Sequence, residues 1–254
     1  MNFRVHTKYK GHTKALTHFI LNFDTQGVPF GNQARNSLKL FRLDGETLNI
    51  KSFRIPNVIN QIAYRFFRKS KAQRSFEYAN RLQDLNIGTP QSIAYYEFQT
   101  WLLFKKSFYI SEQLDCDLTY RKLTKDFDYP NHEAILRAFT RFTFDLHEKQ
   151  VHFLDHSPGN TLIKVDGTAF EFFLVDLNRM EFKPLDFETR IKNFSRLATH
   201  RFMVEIMSDE YAKCIGVPYE KVFALMWAET EAFQYRFHRK KRLKNKYLFW
   251  RARK

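Results

Sequence analysis

Two Asp-Gly turns constrain this chain more than any other local feature. Asp44-Gly45 separates SLKLFRL from TLNIKSF, and Asp166-Gly167 separates TLIKV from the apolar run FEFFLVDL. Asp-Gly supplies the left-handed backbone that a tight antiparallel reversal needs, so each turn predicts a β-hairpin. Between the hairpins, KAQRSFEYANRLQDLN (71–86) sets Phe76, Ala79, Leu82 and Leu85 on one face and predicts a helix, which Ile87-Gly88-Thr89-Pro90 ends. SIAYYEF and SFYISEQL read as two further strands, with WLLFKK between them turning or pairing.

The second half turns helical. Ile135, Ala138, Phe139, Phe142 and Leu146 repeat at helical spacing over 131–150, and everything after Asp186 reads as helix, including FSRLATHRFMVEIM and KVFALMWAETEAFQYRF. Strands first and helices second predict an α+β fold with two lobes, the smaller rich in strands and the larger helical. The expected division is a lobe at 1–114 with one long helix, a lobe at 115–235, and a basic aromatic tail at 236–254.

That tail holds most of the charge. The 254 residues carry 42 Lys+Arg against 27 Asp+Glu, a net +15. Ten of the cations and no acid lie in RFHRKKRLKNKYLFWRARK, leaving about +5 for the rest, an ordinary value for a domain of that size. Phe237, Tyr247, Phe249 and Trp250 are interleaved with these cations. An anionic membrane surface, nucleic acid and the acidic groups of a large substrate all suit such a segment. A solubilising helix with a few aromatic anchors would look the same. With Cys116 and Cys214 alone, a disulfide scaffold is excluded and a reducing compartment is expected, both thiols being small buried residues. No run approaches the roughly 18 apolar residues of a spanning helix, and MNFRVHTKYKGHTK lacks the apolar core of a signal peptide. The expected location is cytoplasmic, free or at a membrane surface.

The second hairpin concentrates candidate chemistry. Asn160 enters its first strand, Asp176 leaves its second, and antiparallel pairing predicts that the two return to one end, with Asp155 on the preceding loop. Two carboxylates and an amide beside a Pro158-Gly159 turn suit an oxygen-ligated Mg²⁺ and a nearby base. In the first hairpin Lys51 lies between Ile50 and Ser52, and Glu77 on the following helix is a candidate counter-ion.

With these residues in view, the chain resembles the protein-kinase-like superfamily. NIK at 49–51 is similar to its lysine strand, Glu77 to the glutamate of its first long helix, DHSPGN at 155–160 to the D-x-x-x-x-N catalytic loop, and VDLNRM at 175–180 to the metal-binding D-F-G segment. Within it, SFEYANRLQDLNIGTPQSIAYYE resembles the helix, "G-I-x-T-P" turn and strand of the bacterial lipopolysaccharide-core kinases, the Kdo kinase family. The resemblance covers most of the chain. It implies an ATP- and Mg²⁺-dependent phosphotransferase in which Lys51 contacts the α/β-phosphates, Glu77 orients Lys51, Asp155 is the catalytic aspartate, and Asn160 and Asp176 hold metal. It also implies adenine contacts with the backbone of residues 111–114, Glu112 and Leu114 among them. The implied acceptor is an acidic glycolipid, Kdo-bearing lipid A, met at the cytoplasmic face of the inner membrane, with the basic tail on the anionic surface and nucleic acid the less favoured partner.

The departures are specific. Phe153 stands where such loops carry His, with His152 one residue earlier, which predicts rearranged packing in the loop. Asn178 replaces the Gly of the metal segment, an exchange that Asn's tolerance of positive φ makes mild. QGVPFGNQARN has only Gly27 and Gly31, so phosphate cradling would depend on Asn32, Gln33 and Arg35 or their N–H groups. His156, Ser157 and Arg179 are candidates for facing the acceptor or for purely structural roles. Other readings are a nucleotide-binding pseudokinase, a kinase for another acceptor, a nucleic-acid-binding protein using YRFFRKSKAQR (64–74) and the tail, and a zinc site at His152-x-x-Asp155-His156. The last would require a helix where Pro158 and Gly159 discourage one.

Overall fold

Asp44 and Gly45 adopt φ of 48° and 86°, the double left-handed geometry of a tight hairpin, and Leu43 pairs with Glu46 across them. In this computed structural model, which describes residues 1–31 and 36–247, the hairpin is the centre of a larger sheet. The strands are β1 (Asn2–Val5), β2 (Val28–Pro29), β3 (Ser37–Leu43), β4 (Glu46–Phe53), β5 (Ser92–Gln99) and β6 (Phe104–Glu112), and they form one antiparallel sheet in the order β1-β5-β6-β4-β3-β2. Three helices accompany it: α1 (Thr13–Leu21), α2 (Val58–Phe66) and α3 (Lys71–Asp84). The sequence predicts only the last of these.

Strand periodicity divides the sheet's faces. Leu48 and Ile50 of β4 pack with Leu16 and Ile20 of α1 in one buried cluster. Phe53 joins Ala72 and Phe76 of α3 and Tyr95 of β5 in another, so Lys51, two residues before Phe53, shares the α3 face. Ser70 starts α3 by accepting a hydrogen bond from the Gln73 N–H, and Phe76, Ala79 and Leu82 are buried as the apolar spacing requires.

The described residues divide into two compact units. Met1–Cys116 with Phe173–Arg179 form one; Asp117–Phe172 with Met180–Lys254 form the other. The sequence division at 114 places 173–179 in the second lobe, whereas these residues pack with the first. The Ile87-Gly88-Thr89-Pro90 turn explains the difference: the Leu174 N–H donates to the Gly88 carbonyl at 2.8 Å, and Thr89 Oγ1 donates to the Leu174 carbonyl at 2.9 Å. A motif read as a helix stop also clamps the backbone two residues before Asp176.

The second unit contains β7 (Leu118–Thr119), α4 (Tyr120–Leu123), α5 (His132–Glu148), β8 (Val151–Phe153), β9 (Thr161–Asp166), the start of β10 (Ala169–Leu174), β11 (Met180–Phe182), α6 (Phe187–Lys192), α7 (Arg201–Ile215) and α8 (Tyr219–Tyr247). The second predicted hairpin forms as β9 and β10 in a three-stranded sheet ordered β10-β9-β7, while β8 pairs antiparallel with β11. The core is helical: Ile135, Leu136 and Phe139 of α5 meet Met203, Val204, Met207 and Tyr211 of α7 and Val222 and Met226 of α8.

Residues 236–247 are not a separate tail in this structure but continue α8, with 236–246 exposed. Phe249 and Trp250, like Asn32, Gln33 and Arg35, lie outside the described residues. Among the described residues no helix is long and apolar enough to cross a membrane. The two thiols are not buried as the composition suggests. Cys116 is exposed because it occupies the irregular connection before β7, and Cys214 near the end of α7 is half-buried.

Candidate active site

In the first unit, β4 carries Lys51 into the sheet between Leu38 of β3 and Tyr109 of β6. Its side chain is only 15% exposed, its ammonium lies 5.3 Å from the Phe53 ring centroid, and Nζ donates to Asp176 Oδ1 at 2.7 Å. Asn178 Nδ2 donates to the same oxygen, also at 2.7 Å. Oδ2 of Asp176 has no hydrogen-bond partner among the described residues, so the carboxylate is oriented by two donors on one oxygen with the other open. Asp176 itself takes a φ of 59°. The left-handed residue of the segment is therefore Asp176, not Asn178 as the motif comparison suggests. Asn178 is buried and acts through its amide.

Glu77 does not pair with Lys51. Its carboxylate is occupied by Lys69 Nζ at 2.8 Å and Gln73 Nε2 at 2.9 Å, because Lys69 immediately precedes the Ser70 cap and Gln73 lies one turn before Glu77. The predicted Lys51–Glu77 pair is replaced by Lys51–Asp176.

At the end of β6, the Glu112 N–H donates to the Gln91 carbonyl at 3.0 Å and the Gln113 N–H to the Thr47 carbonyl at 2.9 Å. The Glu112 side chain accepts from Tyr9 Oη at 2.7 Å and lies 3.7 Å from Lys8. Burial, reinforced by Glu112, raises the Tyr9 phenol well above its ordinary value, so it is a donor at neutral pH. Glu112 is thus spent on the sheet edge. Leu114 is half-buried with an N–H that bonds to no described residue.

In the second unit, the loop after β8 is braced from several directions. Arg196 Nη1 lies 2.6 Å from Asp155 Oδ1, and Arg196 also packs 5.4 Å over the Phe233 ring of α8. Asn160 Nδ2 donates to the Asp155 carbonyl at 2.9 Å, which leaves the Asn160 amide oxygen without a partner among the described residues. Asn193 Nδ2 donates to the Phe153 carbonyl at 2.9 Å, and the Asn193 amide oxygen lies 3.2 Å from His147 Nε2, whose Nδ1 is 2.8 Å from Tyr211 Oη.

His156 is fully buried, 3.2 Å from Thr143 Oγ1 and packed on Phe139 and Phe153. That placement agrees with the structural one of its two sequence readings. Burial, with the neighbouring His147 and His152, pulls His156 down to about 3, and burial pulls His147 down to about 4. Both rings are neutral at pH 7. His152 sits on strand β8, 3.5 Å from Glu181 of β11, so the helical turn required by the zinc reading is absent. Arg179 is exposed, and Ser157 contributes its carbonyl to the Asn160 N–H.

A second arginine lies against this loop. A Cβ on Gly159 would collide with Arg121 Nη2, so the guanidinium crosses the glycine backbone in space that any other residue would occupy. Arg121 is exposed and makes no ion pair with a described residue. Arg196, Arg121, Asn193 and His147 escape sequence reading because each reaches the loop through tertiary packing, with no spacing to announce it, and the sequence gives no sign that the Asn178 amide binds Asp176.

Each unit holds an oxygen donor of the kind that suits a hard cation. Among the described residues no group of three or more His, Cys, Asp or Glu converges as a cage. In the first unit Asp176 offers one carboxylate oxygen left open by the two donors on the other, and in the second unit Asn160 offers an amide oxygen whose Nδ2 is tied to the Asp155 carbonyl; each is of the donor type that Mg²⁺ takes.

An antiparallel sheet bearing a buried lysine, and a helical unit bearing Asp155 and Asn160 on a braced loop, define a protein-kinase-like fold. The lipopolysaccharide kinase (Kdo/WaaP) family model matches residues 54–216, and the chain belongs to that family, hence to the phosphotransferases. A solved structure described as WaaP in complex with acyl carrier protein is similar in fold, with a TM-score of 0.63 over 91% of this chain and 99% of that chain at 17% identity. No curated protein matches the chain significantly.

Proposed function

We propose that the chain is an ATP- and Mg²⁺-dependent kinase that phosphorylates a sugar hydroxyl, on Kdo, of the lipopolysaccharide inner core at the cytoplasmic face of the inner membrane. The observation that carries the reading is the Asp176 carboxylate, held on one oxygen by both Lys51 and Asn178 with the other oxygen open. Family membership supports the reaction class. The unpaired Arg121 and the cationic α8 extension favour an acidic acceptor on an anionic surface.

In this reading Lys51 binds the α/β-phosphates of ATP and Leu114 offers its N–H to the base, while Asp176 and Asn160 are the residues that would hold Mg²⁺, which would supply charge neutralisation. Asp155, its Oδ1 fixed by Arg196, presents Oδ2 to the acceptor hydroxyl. As the acceptor oxygen bonds to the γ-phosphorus, the bond to the bridging oxygen of ADP breaks and the hydroxyl proton passes to Asp155, then to solvent. Arg121 binds an acceptor anion beside Gly159. Positioning and charge neutralisation carry most of the rate in such a transfer.

The test is label transfer from γ-labelled ATP with Mg²⁺ to lipid A that bears Kdo and to lipid A that lacks it. Transfer to the first alone is expected. Equal labelling of both would move the acceptor hydroxyl off Kdo, and labelling of neither would remove this acceptor class.

A further inference from the structure

Helix α2 is amphipathic in the wrong sense for a soluble protein. Its inward side is tied down by polar and aromatic contacts: Gln61 is buried with Nε2 donating to the Pro56 carbonyl at 2.9 Å, and the Tyr64 ring lies 5.7 Å from Phe104 of β6. Its outward side carries Val58, Ile59, Ile62 and Phe66, followed by Phe67. Ile59 is 79% exposed and Phe67 82%. The turn between β5 and β6 lies against the same helix, since Arg65 Nε donates to the Thr100 carbonyl at 3.2 Å, and it adds Trp101 at 79% exposure with Leu102 beside it. Eight of the eighteen exposed large apolar side chains among the described residues, Ile55 included, therefore fall on one helix, its flanks and one turn. Scattered exposed leucines are ordinary, whereas a continuous patch of this kind marks a surface that meets something.

The charge around the patch identifies what it meets. Residues 54–74 contain Arg54, Arg65, Arg68, Lys69, Lys71 and Arg74 and no acid, and Lys105 and Lys106 follow the turn. Arg54, Arg65 and Arg68 make no ion pair with any described residue. Arg65 and Arg68 instead lie 5.1 and 5.9 Å over the rings of Phe66 and Tyr64, the posture of cations whose stems lie along an apolar surface. Aliphatic and aromatic side chains at the tips with cations at the rim match an anionic bilayer, in which apolar groups enter the acyl boundary and cations stay with the headgroups. A second copy of the chain would bring like charges together, and aliphatic tips offer bases no stacking platform.

We propose that the outward face of α2 and the β5–β6 turn form a wedge that inserts into an anionic lipid surface. This deepens the reading of a membrane-borne acceptor and takes its purpose from it. Insertion itself requires neither acceptor nor nucleotide, so the two stand or fall on different measurements.

The experiment is co-sedimentation of the full chain with vesicles of phosphatidylcholine alone or mixed with phosphatidylglycerol, at low and high salt, without glycolipid. Wild type is expected on the anionic vesicles, with the double variant Ile59→Ser/Phe67→Ser and the single Trp101→Ser each reduced by about tenfold or more. Their melting temperatures and nucleotide binding should be unchanged, because these side chains are exposed. The deficit should persist at high salt, whereas removal of 236–254 should produce a loss that high salt imposes on wild type as well. Equal partitioning of wild type and both wedge variants would overturn the proposal. So would variants that lose self-association by light scattering, or binding to RNA, while keeping vesicle binding. Wedge-dependent vesicle binding with no label transfer to Kdo-bearing lipid A would leave this inference standing and overturn the acceptor reading.

Discussion

Arg196 and Asp155, far apart in sequence, meet at 2.6 Å between Nη1 and Oδ1, and this contact leaves only Oδ2 of the aspartate for a substrate. Arg196 is a positioning residue in the proposed reaction. Arg196→Ala should lower kcat by roughly 10- to 100-fold with little change in the KM for ATP, and Arg196→Lys should recover part of the loss. Steady-state kinetics of the two variants check this; an equal rise in KM for ATP would assign Arg196 to nucleotide binding instead.

Asn178 holds Asp176 on the oxygen shared with Lys51. Asn178→Ala removes one of two orienting donors from a metal-ligand candidate, so the Mg²⁺ concentration for half-maximal activity should rise by about 10- to 100-fold. Titration of activity with Mg²⁺ at saturating ATP measures it. An unchanged Mg²⁺ requirement would show that Lys51 alone orients the carboxylate.

Lys51 and Glu77 should separate in their effects, because Glu77 is engaged by Lys69 and Gln73. Lys51→Ala should weaken Mg·ATP binding by calorimetry by about tenfold or more, and Glu77→Gln should weaken it by less. Matching losses would mean that Glu77 leaves Lys69 for Lys51 once nucleotide binds.

Stability should fall on the acid side of neutrality. Burial depresses His147 to about 4 and His156 to about 3, so the unfolded chain, with histidines near 6.5, binds protons that the folded chain refuses. The stabilisation is complete above about pH 6.5 and is lost as pH falls toward those lower values; at pH 5 each ring costs on the order of 2 kcal/mol. Urea unfolding at pH 5 and pH 7.5 should show the drop, and His156→Gln should make the dependence shallower. A midpoint insensitive to pH in wild type would contradict it.

Local chemistry wrote much of this fold into the sequence. Asp44-Gly45 could hardly be anything but a hairpin, and the apolar spacing through Phe76, Ala79 and Leu82 allowed one helix face. Motif spacing, being local, singles out Lys51, Asp155, Asn160 and Asp176 as candidates, and their roles belong to the proposed function. What escaped was set by tertiary competition. Glu77 took the nearer lysine, Glu112 was drawn to Tyr9, and the left-handed residue shifted from Asn178 to Asp176. Helix α2 was hidden for a different reason: its apolar residues face outward, so periodicity gives no core to attach it to.

The most direct test of the central claim is a single-turnover measurement of γ-label transfer to Kdo-bearing lipid A by wild type and Asp155→Asn, with Mg·ATP binding measured on both. The account predicts transfer by wild type, a loss of at least about a thousandfold in the variant, and equal nucleotide affinity in the two. Comparable transfer by both would contradict Asp155's role, and Mg·ATP binding without transfer by either would contradict the kinase reading for this acceptor.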